Sequence, residues 1–111
     1  MKELRKISQE QLEEILLKHK LWLLDKEGGE KADLSYVDLA RADLEGANLR
    51  CANLRCADLR EADLREADLE YAYLGYVYLE GANLTGVYLE DTNLEDAILK
   101  KANLTNTILQ E

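Results

Sequence analysis

From Leu34 to Leu109 every fifth residue of the chain is leucine, sixteen in an unbroken row. Two positions before each leucine stands a small residue, Ala in most units and Val or Thr in the others. The position between them is Asp or Asn in most units, as in Ala42-Asp43-Leu44, Ala47-Asn48-Leu49 and Ala52-Asn53-Leu54. A period of five fits neither a 3.6-residue helix nor a two-residue strand. Five residues cannot enclose a core of their own, so successive units must wind into a solenoid whose neighbours stack. With the leucine and the small residue turned inward, the other three positions face water, and Arg50, Glu61, Glu66, Glu80 and Glu95 all fall there. Stacking at about 4.8 Å, the spacing of β-strands, lets each circuit pair its backbone with the next.

These units resemble the pentapeptide repeat family, whose motif reads A-(D/N)-L-x-x. The resemblance covers residues 32–111 and implies an all-β solenoid, a right-handed quadrilateral β-helix with one unit per side and twenty residues per coil. Sixteen units would then make four coils, about 19 Å tall at that spacing. The resemblance also implies that the Asp or Asn before each leucine bonds to local backbone. Tyr73, Tyr78, Tyr88, Ile98 and Ile108 depart from the motif at that position, and Thr92 and Thr107 replace the alanine. The turns of these units are the ones the motif secures least.

Residues 1–31 are different material and read as a capping helix with a Gly-Gly linker. Ser8 and Gln11 form a capping box, with Ile7 and Leu12 placed as a hydrophobic staple. Leu12, Ile15, Leu16, His19, Trp22 and Leu23 then recur at helical spacing on one face. Gly28-Gly29 is expected to stop the helix. An uncovered first coil would open its core to water, so the helix is the expected lid, with Trp22 its bulkiest apolar group against Leu34, Leu39, Leu44 or Leu49.

Twenty-residue coils turn the sequence into vertical columns. Arg50 should lie over Glu70, Arg60 over Glu80 with Lys100 beyond, and Arg65 beside Glu45, as exposed pairs worth about 0.2–1 kcal/mol each. Arg50, Arg55, Arg60 and Arg65 share one position on four successive sides and form a belt. Together with Tyr73, Tyr78 and Tyr88 they are the candidate interaction surface.

The net charge of −9 is unevenly spread. Residues 1–31 carry seven acids and seven bases, which cancel, so the whole excess lies on the repeats. Such a surface repels nucleic acid and anionic membrane, and neither is expected as a partner. No apolar run reaches membrane length, and the charged N-terminus is not a secretory signal, which makes a cytoplasmic location the expectation.

Chemistry is sparse. His19 is the only histidine and lies on the apolar side of the helix, where a packing role outweighs a general base. Cys51 and Cys56 sit on adjacent outer sides, unsuited to an intramolecular disulfide, and Cys-x4-Cys without further ligands is poor zinc evidence. Calcium could bridge the columns Asp38/Asp58 or Asp43/Asp63, but the glycine-rich calcium repeat is absent. No phosphate-cradling loop appears. The expectation is no enzyme, no cofactor and no metal.

Two readings of function remain. One is a non-catalytic interaction or scaffolding module offering rigid walls to a protein partner. The other comes from the resemblance: some family members are similar to B-DNA in shape and charge, and bind DNA gyrase to protect or inhibit it. B-DNA carries one charge per roughly 1.7 Å, or about eleven over this height, close to the charge here. The short rod and the arginine belt favour scaffolding. Finally, the repeats run to the last residues, leaving Leu94, Leu99, Leu104 and Leu109 uncovered, with Ile98 and Ile108 turning the outer walls apolar. A homodimer joined through the C-terminal coils is the expectation.

Overall fold

The computed structural model describes residues 3–107. Parallel bridges join residues twenty positions apart, from Asp33 with Asn53 to Asn83 with Asn103, at every fifth residue. Each circuit therefore has four five-residue sides, and each side carries only a bridge's length of β structure. Leu34 to Leu84 are at most 3% exposed, and the alternate layer, from Ala32 to Val87, is buried with them except Ala42 and Ala47, which are half-buried. The sequence predicts one inward stack of Leu34, Leu54, Leu74 and Leu94 with three counterparts; its first three members are buried in the core, and Leu94 packs against it only partly buried.

The backbone bonds repeat with the sequence, and in the motif-bearing units of the second and third circuits they account for every N–H. Taking the Leu59 unit, Ala57 N–H bonds to Leu54 O within the turn, at 3.0 Å. Asp58 N–H donates back to Val37 O at 3.0 Å, and Leu59 N–H forward to Tyr78 O at 2.8 Å. Arg60 N–H is taken by the Asp58 side chain at 3.0 Å, and Glu61 N–H by Glu80 O at 2.9 Å. Asp or Asn is thus the acceptor for a peptide that would otherwise lack one. The same side-chain bond recurs from Asp33 to Asn103 wherever the motif has Asp or Asn.

The second residue after each leucine has positive φ in all fifteen units from Tyr36 to Asn106, yet only Gly46, Gly81 and Gly86 are glycine. The left-handed conformation costs an L-residue about 1–2 kcal/mol, here offset by the turn bond and the ladder. The units lacking Asp or Asn keep the same turn: Tyr76, Gly81, Asp91 and Lys101 all have positive φ. Geometry there is carried by the ladder, not by the side chain.

The helix, α1, spans Gln9–Leu23 and opens with the expected capping box, Gln11 N–H to Ser8 Oγ at 3.0 Å and Ser8 N–H to Gln11 Oε1 at 2.7 Å. It ends before the glycines. Asp25 takes φ 54°, and bonds from Asp25 N–H to Trp22 O and from Lys26 N–H to Leu21 O close a Schellman motif. Gly29 instead permits close approach, since a Cβ there would stand 2.4 Å from Trp22 N.

Leu12 and His19 are the buried residues of α1 and join the core with Ile7, Ile15 and Leu16 at its edge. Trp22 does not plug the first circuit. It is 39% exposed, stacked on His19 at 5.6 Å with Lys31 on its ring, because Leu12 and His19, seven apart, define the centre of the buried face and Trp22 lies to one side. Ahead of α1, Arg5 adds a parallel bridge to Val37, and its guanidinium bonds to the carbonyls of Asp33 and Ser35.

Candidate functional site

The belt arginines occupy one position on four successive sides, and the preceding Asx residue decides where each one reaches. Arg60 and Arg65 follow Asp58 and Asp63, whose carboxylates are already fixed by the turn, and each guanidinium closes back on its own aspartate. Arg60 meets Asp58 at 2.9 and 2.6 Å, and Arg65 meets Asp63 at 2.8 and 2.7 Å with Glu45 at 3.6 Å. These bonds hold the Asp58 and Asp63 carboxyls below the usual range, against the opposing effect of desolvation, and raise both guanidinium pKa values. The expected ladder of Arg60, Glu80 and Lys100 is therefore replaced by a local fork, and Glu80 Oε1 is buried without a hydrogen-bond partner.

Arg50 and Arg55 follow Asn48 and Asn53, which offer no charge, and both reach the next circuit. Arg50 pairs with Glu70 at 3.4 Å, as expected, and lies 4.9 Å over the Tyr71 ring. Arg55 forms no ion pair with a carboxylate among the described residues. Its guanidinium donates to the Tyr73 hydroxyl at 3.1 Å and to Tyr36, and lies 5.9 and 5.0 Å from the Tyr73 and Tyr76 rings. Hydrogen bonds to the two phenols raise its pKa. Gly75 makes this possible, since a Cβ there would stand 2.6 Å from Tyr73 Cε1.

The structure thus gathers Tyr73 and Tyr78 with Arg55 and Arg60, whose guanidinium lies 5.9 Å from the Tyr78 ring. Tyr88 is set apart, in a recess shared with Glu45, Arg65 and Glu66. Tyr36, Tyr71 and Tyr76 complete the wall and were not among the expected residues. Their common signal was their column, two positions after leucine. At the corner beside them runs a groove of about 450 Å3 lined by Leu4, Tyr36, Cys56, Tyr76, Tyr78 and the Asp58–Arg60 fork.

Elsewhere the histidine and the clustered carboxylates are engaged in structure. His19 is fully buried and bonded through both ring nitrogens to backbone. Cys51 and Cys56 are free and half-buried. Asp43, Glu45 and Asp63 bring ligand atoms within 4.8 Å, but Arg65 already bridges Glu45 and Asp63. At the far end, Leu99 and Leu104 are 36% and 46% exposed and, with Leu94 and Thr107, help line an apolar hollow of about 210 Å3. Ile98 is also exposed there, while Ile108 and Leu109 lie outside the described residues. Among the described residues no helix is long and apolar enough to cross a membrane.

The sequence matches the family of pentapeptide repeats over residues 30–65, 62–100 and 72–110, and the chain belongs to that family. Its members fold as right-handed quadrilateral β-helices and are generally non-catalytic structural or interaction modules. Similar solved structures include HetL, a pentapeptide repeat protein involved in heterocyst differentiation regulation in the cyanobacterium Nostoc sp. strain PCC 7120. It is 35% identical over 69% of this chain, with a TM-score of 0.46. A second pentapeptide repeat protein of Nostoc PCC 7120 is 27% identical over 78% of this chain and 71% of its own, with a TM-score of 0.42. Rfr23 from Cyanothece 51142 is 36% identical over 72% of this chain and 62% of its own, with a TM-score of 0.35. The chain spans 40% of the length of HetL. No curated protein matches it.

Proposed function

We propose that the chain is a cytoplasmic, non-catalytic protein-interaction module, a four-coil rod (residues 32–111) capped by residues 1–31, whose partner-facing surface is the tyrosine and arginine wall. The observation that carries this reading is Arg55, a guanidinium held by phenols and aromatic faces instead of a carboxylate. Interfaces draw much of their affinity from Tyr and Arg anchors, the tyrosines supplying a large rigid contact area with few rotatable bonds. Tyr71, Tyr76 and Tyr78 are 48%, 42% and 37% exposed, an aromatic surface of the kind that marks interaction sites.

The same wall weighs against mimicry of DNA. Asp58, Glu61, Asp63, Glu70 and Glu45 are each paired with an arginine, so the acidic excess is neutralised where the arginines lie. A partner of the rod's second kind is a further copy of the chain at the C-terminal end, where the exposed Leu99 and Leu104 support a homodimer.

Affinity capture from the native host, quantified for wild type against a Tyr73→Ala/Arg55→Ala double variant, tests the wall. Loss of the same proteins from the variant is expected, and an unchanged set overturns the reading. A gyrase supercoiling assay is expected to show no effect of the protein, and dose-dependent inhibition would favour the mimic. Light scattering across a concentration series should show a dimer that Leu104→Glu dissociates.

A further inference from the structure

The groove at the corner of the Leu34 and Leu39 sides has a long wall made of a single column. Tyr36, Cys56 and Tyr76 stand twenty residues apart with φ of 59°, 60° and 59°, so their side chains leave three successive circuits in the same way. At about 4.8 Å per circuit the two tyrosines are about 9.6 Å apart along the rod. A polyproline II helix rises about 3.1 Å per residue and repeats every three, about 9.3 Å. Residues three apart on such a helix would therefore meet Tyr36 and Tyr76 alike, with a notch over the smaller Cys56 side chain between them.

The groove also has a polarity. Leu4 makes it apolar at one end. At the other, the column continues to Asp96 with Glu95 beside it, the Tyr76 hydroxyl donating to Glu95 Oε1 at 3.3 Å. No arginine or lysine forms an ion pair with Glu95 or Asp96 among the described residues, and their charges raise the Tyr76 pKa.

Other peptide shapes fit this wall poorly. An added β-strand needs an unpaired backbone edge, whereas the backbone here is consumed by bonds between circuits. An amphipathic helix needs a continuous apolar groove for its stripe, and the Asp58–Arg60 fork interrupts this lining. A polyproline helix needs no backbone partner, packs its rings on aromatic faces and is already ordered before binding. The Arg60 guanidinium and the Tyr78 hydroxyl supply donors for its outward carbonyls.

We infer that this groove takes a proline-rich segment of a partner protein, lying along the rod in the polyproline II conformation with a basic residue over Glu95 and Asp96. This rests on the interaction reading above. The probe is a short fluorescein-labelled peptide of prolines ending in one arginine, titrated with the full chain by fluorescence anisotropy. Tyr76→Gly removes a ring at a left-handed position that glycine suits, its backbone gain offsetting the lost Arg55 and Glu95 contacts, and should weaken binding about tenfold with little change in melting temperature. Tyr88→Ala, on another side, should leave binding intact. Glu95→Lys with Asp96→Lys should shift the preference to a peptide ending in glutamate. Absence of binding, indifference to Tyr76→Gly, or equal binding of a glycine-serine peptide with the same arginine overturns the inference. If it falls while the Tyr73→Ala/Arg55→Ala variant still loses its captured partners, the interaction reading stands alone; if neither experiment responds, both fall.

Discussion

His19 does the work of a missing turn. In later units the small residue's N–H bonds to the preceding leucine's carbonyl, and the carbonyl after each leucine accepts from an N–H nineteen residues earlier. At the start of the winding neither partner exists in the repeat, and the imidazole replaces both. Ala32 N–H donates to Nδ1 at 2.9 Å, and Arg50 O lies 2.8 Å from Nε2. Since an amide can only donate and a carbonyl only accept, the ring is neutral with its proton on Nε2.

His19→Leu keeps much of the volume and leaves two buried backbone groups without partners. At about 1–3 kcal/mol each, the loss should be about 2–6 kcal/mol. His19→Asn can restore an acceptor for Ala32 alone and should fall between the two. Urea unfolding followed by Trp22 fluorescence measures both. The pH dependence supplies a second readout. Burial, then the charge of Lys31, lower the His19 pKa below 6.5, the bond to Arg50 opposing them. The unfolded chain therefore takes up the proton first on acidification. The stability supplied by the neutral ring is complete above pH 6.5 and is lost as pH falls from there through the folded-state pKa. His19→Leu should lack this step. A loss under about 0.5 kcal/mol, or an unchanged slope between about pH 7 and 5, refutes the account.

Other consequences are local. Gly75→Ala should force the Tyr73 ring off Arg55 at a cost of about 1–3 kcal/mol, visible as a lowered melting temperature and altered Tyr73 ring resonances. At Lys101, φ 62°, Lys101→Gly should stabilise by about 0.5–1 kcal/mol and Lys101→Val should destabilise, the β-branched side chain being the least tolerant of that conformation. Asp58 and Asp63 have lowered pKa values, so their contribution is complete above about pH 3.8 and is lost as pH falls through the folded values. Asp58→Asn should remove part of that acid transition in a circular-dichroism titration.

The winding was legible because the repeat averages over many copies: the leucine period and the core layers follow from it, and the family resemblance implied the twenty-residue register. The left-handed positions were legible in principle too. Fifteen residues in that column include Tyr, Arg, Cys, Glu, Asp, Lys, Asn and Gly but no Val, Ile or Thr, while the preceding column admits Thr85 and Thr105. The direction of each belt arginine was written two residues earlier, in Asn48 and Asn53 against Asp58 and Asp63. Arg60 was nonetheless expected on Glu80, because vertical proximity was weighed without the carboxylate already fixed beside it. What could not be read were features with one copy. Arg5 pairing with Val37, His19 replacing two backbone groups and Trp22 turning outward depend on how one short helix is rotated against the first circuit. The tyrosine wall lies between these cases. Its residues are exceptions to the motif, yet the motif assigns them to columns, and the alignment of Tyr36 with Tyr76 across Cys56 follows from their numbers once the period of twenty is known. A partner that reads this protein would read the departures from the repeat, with the repeat supplying the spacing.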